Sequence, residues 1–194
     1  MPEPLSQESI LDTAEEVLRR FGPAKTTVVD VARALDVSHG SVYRHFPSKV
    51  ALRDAVTERW LARVSAPLEA VAHGRGKPAR RLRQWVELLA STKQDMARED
   101  PELFATFRQL TTEAREVVDA HVDHLAAQVS AIVAEGVAAG DFAEVDPARA
   151  GRAVLQATAL FHHPAHAGEW DDPRLAEHLD AVFALLMDGL RPRT

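Results

Sequence analysis

The residue types best able to do chemistry lie close together, between Thr26 and Lys49. Within that stretch, Val42 and Phe46 are four residues apart and form the inner side of one short predicted helix. The remaining surface of that helix carries His39, Gly40, Ser41, Tyr43, Arg44 and His45. Hydroxyl, phenol, imidazole and guanidinium groups can hydrogen-bond to phosphate oxygens and to base edges. The pattern therefore favours a surface that binds a nucleic-acid duplex.

Two short helices joined by a tight turn must hold these side chains in position. Thr27 and Asp30 have the spacing of a capping box, in which each side chain accepts a hydrogen bond from the backbone of the other residue. The first helix then has an apolar face, which comprises Val28, Val31, Ala32 and Leu35. Asp36 is expected to reverse the chain, because Asp accepts a left-handed backbone more readily than most residues. Ser38 caps the second helix, so the stretch predicts a helix-turn-helix.

The charge of this stretch differs from that of the whole chain. The 194 residues carry a net charge of −6, yet four basic residues and only one acidic residue lie between Arg33 and Arg53. A small basic area on an acidic protein would confine phosphate contacts to one face. Cysteine is absent, 46% of the residues are hydrophobic, and the longest apolar run, Ala181 to Met187, is far too short to span a membrane. These features predict a cytoplasmic protein without disulfides.

The stretch from Thr26 to Lys49 resembles the signature of TetR-type transcriptional regulators. The matching residues are Thr27, Val31, Ala32, Val37, Ser38, Gly40, Tyr43, His45, Phe46, Ser48, Lys49 and Leu52. The resemblance covers about the first fifty residues well, and the rest of the chain only through an all-helical plan of similar length. One position departs from the family, which usually has Gly in the turn where this chain has Asp36. A helical hairpin in an unrelated bundle is the alternative, and the order of Tyr, His, Phe and Lys after the turn argues against it.

The resemblance implies a role for each residue of this surface. Thr27, Tyr43, His45 and Lys49 are expected to hold phosphates, next to the cap Ser38, while His39, Gly40, Ser41 and Arg44 face base edges. Residues 1–47 would then form a DNA-binding domain, and residues 48–194 a helical domain that dimerises and binds an effector. The implied function is that of a homodimeric repressor, which leaves a palindromic operator when a small molecule binds.

The hydrophobic pattern beyond the helix-turn-helix is helical throughout. It predicts an all-α protein of about nine helices with no strand. The first helix starts at Ser6 or Gln7 and ends at Phe21; Ser48 caps the fourth, which continues past Pro67. The later helices are expected from Pro78 to Arg98, around Leu103 to Phe107, from Thr111 or Thr112 to Ala139, from Asp146 to His163, and from Asp172 to Leu190.

One histidine and several aromatic residues suggest an effector pocket in the larger domain. His121 shares one face of the seventh helix with Leu125, Val129 and Ile132, so its imidazole should point inward. The candidate lining of the pocket comprises Trp60, Trp85, Met96, Phe104, Phe107 and His121. The alternative is that His121 is a hydrogen-bonded core residue and the aromatic side chains are ordinary core.

The last helix contains seven successive apolar residues, Ala181 to Met187. A helix that is apolar on every side needs a second surface to cover it. A symmetric homodimer supplies that surface, and the resemblance implies a four-helix bundle between two copies. The candidate interface residues are Val154, Phe161, Val182, Phe183 and Leu186. The alternative is that the helix is buried at the centre of its own domain.

Two groups of histidines raise the question of a metal or of catalysis. His121 and His124 flank Asp123, and His162, His163 and His166 surround Pro164, but neither group has a familiar metal-ligand spacing. No nucleophile elbow or Gly-rich phosphate loop is present, so we expect neither a cofactor nor catalysis. A metal-dependent helical enzyme using His121, Asp123 and His124 remains an alternative, as does a DNA-binding architectural dimer without an effector.

Overall fold

The computed structural model describes residues 5–23 and 26–192, and all regular secondary structure in them is helical. The α-helices are α1 Gln7–Phe21, α2 Val28–Ala34, α3 His39–Tyr43, α4 Lys49–Ala72, α5 Pro78–Glu99, α6 Pro101–Glu113, α7 Arg115–Ala138, α8 Pro147–Ala157, α9 Ala159–His162 and α10 Leu175–Leu190. A 3-10 helix, Pro164–Glu169, lies between α9 and α10. The predicted all-α fold class is confirmed. None of these helices combines the length and the apolar character needed to cross a bilayer.

Side-chain caps, among them the predicted ones at Thr27, Ser38 and Ser48, explain where five of these α-helices begin. Ser6, Thr27, Ser38 and Asp100 each accept a hydrogen bond from a backbone N–H three residues further on, and Ser48 does the same for Ala51 at 3.0 Å. Such bonds satisfy donors that a helix start leaves unpaired. Asp36 has φ +53°, so the turn between α2 and α3 does use the left-handed conformation expected of it. Helix α4 continues through Pro67.

The chain divides into two compact units. The first unit comprises Met1–Leu61 and Asp100–Asp119, and the second comprises Ala62–Glu99 and Ala120–Thr194. The first unit thus contains more of the chain than the residues 1–47 assigned to DNA binding. The assignment of residues 1–47 to DNA binding describes a function and not a compact unit, and it stays a prediction.

The core of the first unit supports the helix-turn-helix. Helix α2 contacts both α1 and α3, and α1 also contacts α6. Ile10, Ala14, Val31 and Val42 have no exposed surface, and Phe46 is also buried. Because Val42 faces this core, the opposite side of α3 is turned outward. The last residue of α1, Phe21, is apolar but 57% exposed.

The core of the second unit contains side chains from α4, α5, α7, α8 and α10. Helices α7 and α8 approach closely at Gly151, where a Cβ atom would collide with the side chain of Ser130 and the backbone at Ala126. Gly140, with φ +73°, lies just beyond the end of α7. Small residues at these two positions therefore determine how α7 ends and how closely α8 can lie against it.

Three predicted helix boundaries are wrong for local reasons. Thr111 and Thr112 lie inside α6, where both hydroxyls donate to the carbonyl of Arg108, and so they do not cap α7. The predicted eighth helix is divided at Thr158, whose backbone (φ −97°, ψ 7°) leaves the helical conformation. The side chain of Asp172 accepts a 2.8 Å hydrogen bond from the backbone of Arg174 in a turn, and α10 begins only at Leu175.

Candidate nucleic-acid interface

Helix α3 and the two helix starts beside it form the candidate nucleic-acid interface. Ser38, His39, Gly40, Tyr43, Arg44 and Lys49 are exposed, whereas Thr27, Ser41 and His45 are half-buried. All nine predicted contact residues thus retain surface in the first unit. Tyr43 is 42% exposed, and its ring meets that of His39 edge to face, with the centroids 6.4 Å apart.

A short hydrogen-bonded chain orients Arg44. Its Nη2 donates to Oγ of Ser41 at 3.3 Å, and that oxygen lies 2.9 Å from Oγ of Ser38. Ser38 Oγ also accepts the backbone N–H of Ser41 at 3.2 Å. The capping residue Ser38 is therefore linked through Ser41 to the guanidinium of Arg44 by hydrogen bonds. Since a guanidinium has several N–H donors, this single bond leaves others for a base edge.

Gly40 leaves open space on the same surface. A Cβ atom built there would meet only Ser38 Oγ, at 3.8 Å, an ordinary contact. The chain itself therefore has no steric need for glycine at this position, although Gly in a helix costs about 1 kcal/mol relative to Ala. An approaching duplex would supply such a need, because a missing side chain allows close contact between the helix backbone and the groove.

The start of α2 carries a carboxylate surrounded by donors and cations. The hydroxyl of Thr27 donates to Asp30 Oδ2, and this hydrogen bond is the main cause that holds the pKa of Asp30 below its usual value. Arg33, 3.5 Å from Asp30, and Lys49 lower that pKa further. The negative charge of Asp30 is thus balanced locally. A phosphate beside Thr27 and Lys49 would meet a surface without excess negative charge.

The residues predicted to line an effector pocket divide between the two units. Trp60, Phe104 and Phe107 belong to the first unit, and Trp85, Met96 and His121 to the second. The rings of Trp60 and Phe107 stack in parallel, with centroids 4.4 Å apart. Trp60, Trp85, Phe104 and Phe107 are all buried, while Met96 and His121 are half-buried. The aromatic members therefore pack in the cores of their own units, and a pocket at these residues stays a prediction.

His121 points inward, as its position on α7 suggested. Its Nε2 atom is buried and has no hydrogen-bond partner among the described residues. Burial, with smaller effects from Lys93 and His124, lowers the pKa of His121 to about 3, so the ring is neutral at pH 7. A second buried group, Lys93 on α5, was not recognised from the sequence. Lys93 follows Val86 and Leu89 at seven- and four-residue spacing along the inner face, and that spacing was the available signal.

The side chains of the two histidine groups turn to different partners. Asp123 pairs with Arg152, and His124 Nε2 lies 3.0 Å from the amide nitrogen of Gln128, so the side chains around His121 turn to different partners. His162 lies 3.3 Å from the carbonyl oxygen of Leu155, while His166 pairs with Glu169 at 3.1 Å. Over residues 5–23 and 26–192, no three His, Cys, Asp or Glu side chains form a group suited to a metal ion.

The predicted dimer residues also differ in exposure. Val154, Phe161 and Phe183 are at most 6% exposed in the single chain, because they fill the interior of the second unit. They therefore have little surface left for a second copy, and their assignment to the interface stays a prediction. Val182 and Leu186 are half-buried, whereas Leu185, on the same helix, is 73% exposed. The face of α10 around Leu185 is the better candidate.

Comparison with known protein families gives two matches that together cover most of the chain. Residues 10–56 match the family described as bacterial regulatory proteins, tetR family. Residues 78–183 match the family described as tetracyclin repressor-like, C-terminal domain. The first match contains the whole helix-turn-helix, and the second spans more than half of the 194 residues.

Individual proteins show the same likeness. A Mycobacterium tuberculosis protein described as an uncharacterized HTH-type transcriptional regulator is 31% identical over 103 residues, which are 53% of this chain and 49% of the relative. The chain thus spans about half the length of this relative. Among solved structures, SmeT, the repressor of the Stenotrophomonas maltophilia multidrug efflux pump SmeDEF, has a TM-score of 0.69 at 21% identity, covering 97% of this chain and 91% of SmeT. A TetR transcription regulator from Haloarcula marismortui has a TM-score of 0.72 at 20% identity, and the alignment covers 95% of this chain and 97% of that protein. These two likenesses concern the fold.

Proposed function

The chain belongs to the TetR family of bacterial regulatory proteins, and on that basis we propose that it is a homodimeric repressor of transcription. In this proposal it binds a palindromic operator through α3 and the starts of α2 and α4. The observation that carries the proposal is the outward face of α3, where polar and cationic groups surround a glycine that the chain's own packing does not require. The function is gene regulation rather than catalysis.

Phosphate contacts would position the protein, and α3 would read the sequence. The ammonium of Lys49, the phenol of Tyr43 and the backbone at the start of α2 beside Thr27 are suited to phosphate oxygens. Arg44 is suited to a guanine, because a guanidinium can donate two parallel hydrogen bonds to its O6 and N7. Gly40 would lie closest to the base edges. Helix α3 is short, so few base pairs would be read by each copy.

A dimer would place two reading helices on one side of the duplex. Recognition helices of a symmetric dimer contact successive major grooves when they lie about 34 Å apart, and the operator is then a palindrome. The exposed apolar face of α10 around Leu185 is the proposed contact between the two copies. An apolar side chain in that position gains from being covered by the same helix of a second copy.

An effector would act by shifting a conformational equilibrium. A small molecule that binds more tightly to a conformation with the wrong spacing of the reading helices must lower the affinity for the operator. By the same linkage, the operator must lower the affinity for the effector by an equal factor. Residues 48–194 are the proposed location of the effector site and of the dimer contact.

Selection of bound duplexes from a random pool tests the DNA-binding proposal directly. We expect a palindromic consensus whose half-sites are about one helical turn apart, and binding that falls steeply as salt concentration rises. An oligonucleotide with one half-site scrambled is the matched control. Enrichment of no sequence, or of one with no internal symmetry, would contradict the proposed dimeric reading.

A further inference from the structure

The turn between α4 and α5, in the second unit, carries cations that have no partner in the described chain. Arg75, Lys77 and Arg80 are exposed, and their side chains make no ion pair or hydrogen bond within residues 5–23 and 26–192. No Asp or Glu occurs from residue 70 to residue 86. Other arginines of this unit do pair with carboxylates, namely Arg83, Arg98, Arg152, Arg174 and Arg191. Positive charge is therefore left uncompensated at this turn.

A buried arginine holds the turn in shape. Arg81 is 3% exposed, and its Nη1 atom donates to the carbonyl oxygens of Ala72 at 2.9 Å and of Gly74 at 3.0 Å. Its Nη2 atom pairs with Glu135 on α7. Gly76 has φ +123°, a conformation that glycine adopts without strain. Because this backbone is already fixed, a partner that binds here would lose little affinity to the ordering of a loop.

The three cations lie close together along the chain. Arg75 and Lys77 are two residues apart, so their Cα atoms are separated by at most about 7 Å. The backbone N–H of Arg80 donates to the carbonyl oxygen of Lys77 at 3.0 Å, and a hydrogen bond across three residues brings the Cα atoms within about 7 Å of each other. We call Arg75, Lys77 and Arg80 the basic turn. Anionic groups a few ångströms apart on one partner can meet all three residues.

The side chains of the basic turn suit several carboxylates on one flexible chain. A guanidinium binds a carboxylate through two parallel hydrogen bonds. A single pair at an exposed site contributes little, so several pairs on one partner are needed for measurable binding. Apart from Pro78 and Ala79, no apolar residue lies between His73 and Arg80. The partner would therefore be recognised by its charge and not by an apolar contact.

The charge around the basic turn distinguishes between kinds of polyanion. The rest of the second unit carries ten basic and fifteen acidic residues. A duplex or an anionic membrane is extended, so it would bring its negative charge against these acidic surroundings as well. A flexible peptide can contact the turn alone. The observations therefore favour a peptide.

We propose that the basic turn binds a flexible segment of a partner protein that is rich in Asp and Glu. Carboxylates along the segment pair with Arg75, Lys77 and Arg80. The interaction goes beyond the proposed function and is independent of operator binding, because the proposed DNA contacts belong to the first unit.

Fluorescence anisotropy of the full chain with a labelled peptide tests the proposal. The probe is a peptide of alternating Glu and Ser, about twelve residues long, and the matched control peptide has Gln in place of every Glu. We expect the Glu peptide to bind at least about tenfold more tightly than the Gln peptide at pH 7 and low salt, and its binding to weaken as salt is added. Equal binding of the two peptides would overturn the proposal.

Neutral variants locate the binding site. Loss of the basic turn through Arg75→Gln, Lys77→Gln and Arg80→Gln should weaken binding of the Glu peptide about tenfold or more. The control variant changes the net charge equally at three other exposed cations of the unit and should stay within about threefold of the wild type; it combines Arg149→Gln, Arg174→Gln and Arg191→Gln. Unchanged binding after loss of the basic turn, or equal weakening in both variants, would contradict the assignment.

A charge-preserving variant separates a loss of charge from a loss of structure. Arg75→Lys combined with Arg80→Lys keeps all three cations and should retain most of the binding. Thermal unfolding shows whether each variant is folded. A folded lysine variant that loses the peptide as completely as the neutral variant would show that charge does not hold the peptide.

Two further probes test the other polyanions. They are a duplex of scrambled sequence and vesicles of equal parts phosphatidylcholine and phosphatidylserine. We expect loss of the basic turn to leave duplex binding within about twofold, and the wild type not to sediment with the vesicles. If duplex or vesicle binding depends on the basic turn as strongly as peptide binding does, the partner is a nucleic acid or a membrane and the proposal is wrong.

The operator experiment separates this proposal from the proposed function. A protein that selects a palindromic duplex but binds the Glu and Gln peptides alike contradicts only the peptide site. A protein that binds the Glu peptide through the basic turn but selects no duplex contradicts only the proposed function.

Discussion

Thr27 and Asp30 hold each other through two reciprocal hydrogen bonds at the start of α2. The backbone N–H of Thr27 donates to Asp30 Oδ2 at 3.1 Å, and the backbone N–H of Asp30 donates to Thr27 Oγ1 at 3.2 Å. Helix α2 has only seven residues, so its first turn is a large part of it. The hydroxyl of Thr27 is used within the chain, so we expect Thr27 to support DNA binding by fixing the start of α2.

Removing this cap should lower both stability and DNA binding. We expect Thr27→Ala to reduce the free energy of unfolding by about 1 kcal/mol, because a donor at the helix start loses its acceptor. Binding to all duplexes should weaken together. Thr27→Ser, which keeps the hydroxyl, is the control and should stay close to the wild type. Urea denaturation and fluorescence anisotropy with a labelled operator measure the two effects; equal stability of all three proteins would contradict the role of the cap.

Lys49 and Arg44 should affect DNA binding in different ways. Lys49→Ala should weaken binding to every duplex by a similar factor and reduce the slope of log K against log salt by about 1, since one phosphate contact is lost. Arg44→Ala should instead change which sequence is preferred. Binding measured at several salt concentrations on a selected and a scrambled duplex separates the two. Lys77→Ala, at an exposed lysine of the second unit, is the control. If it weakens binding as much as Lys49→Ala does, the effect comes from the net charge of the protein and not from a phosphate contact at Lys49.

Features that depend on side-chain to backbone bonds within three residues were predicted well from the sequence. The caps at Thr27, Ser38 and Ser48 and the left-handed turn at Asp36 all belong to this class. Such chemistry is local, so neighbouring residues specify it. The outward face of α3 followed from the same reasoning, because the position of Val42 determines which side is buried.

Features that depend on distant packing were predicted less well. Hydrophobic spacing continues through Thr158, so nothing local separated α8 from α9. Asp172 has the composition of a helix cap but closes a turn, and α10 starts three residues later. The burial of Lys93 was missed because lysine is normally a surface residue, and only its spacing from Leu89 could have indicated otherwise.

The dimer contact can be tested at Leu185. This side chain is 73% exposed, so replacing it should not disturb the core, whereas Leu186 packs against the core of the second unit. We expect Leu185→Glu to produce folded monomers with much weaker operator binding, because a charge at the proposed contact would be desolvated on association. Sedimentation velocity measures the assembly. Phe21→Glu, at a 57% exposed apolar residue of the first unit, should leave the dimer intact; an intact Leu185→Glu dimer would place the contact elsewhere.

The close contact between Gly136 and Phe142 gives a prediction about stability alone. The ring of Phe142 lies where a Cβ atom of residue 136 would be, and the backbone N–H of Phe142 donates to the carbonyl of Gly136 at 3.0 Å. We expect Gly136→Ala to destabilise the protein by roughly 1–3 kcal/mol, since a buried ring must move. Gly168→Ala, where a Cβ would meet nothing within 4 Å, is the control and should change stability by less than about 0.5 kcal/mol. Thermal and urea unfolding measure both.

His121 and His162 should make the free energy of unfolding fall as the pH is lowered. Burial is the main cause that lowers the pKa of His121 to about 3 and that of His162 to about 4, from an ordinary value of 6.5. Between pH 6.5 and these lower values the unfolded chain binds more protons than the folded chain, so the free energy of unfolding must rise with pH across that range. Their contribution is complete above about pH 6.5 and is lost as the pH falls towards 4 and then 3.

His121→Leu isolates this effect from that of the carboxylates, which also titrate in acid. We expect the difference in unfolding free energy between the variant and the wild type to be constant above pH 7, because His121 is then neutral in both states. Below pH 6.5 the difference should shift in favour of the variant by roughly 2–3 kcal/mol by pH 4, since Leu removes a proton-binding group that only the unfolded chain can use. Urea denaturation at intervals between pH 4 and 8 measures it. Two parallel stability curves over that range would instead show that His121 takes up protons in the folded protein as readily as in the unfolded chain.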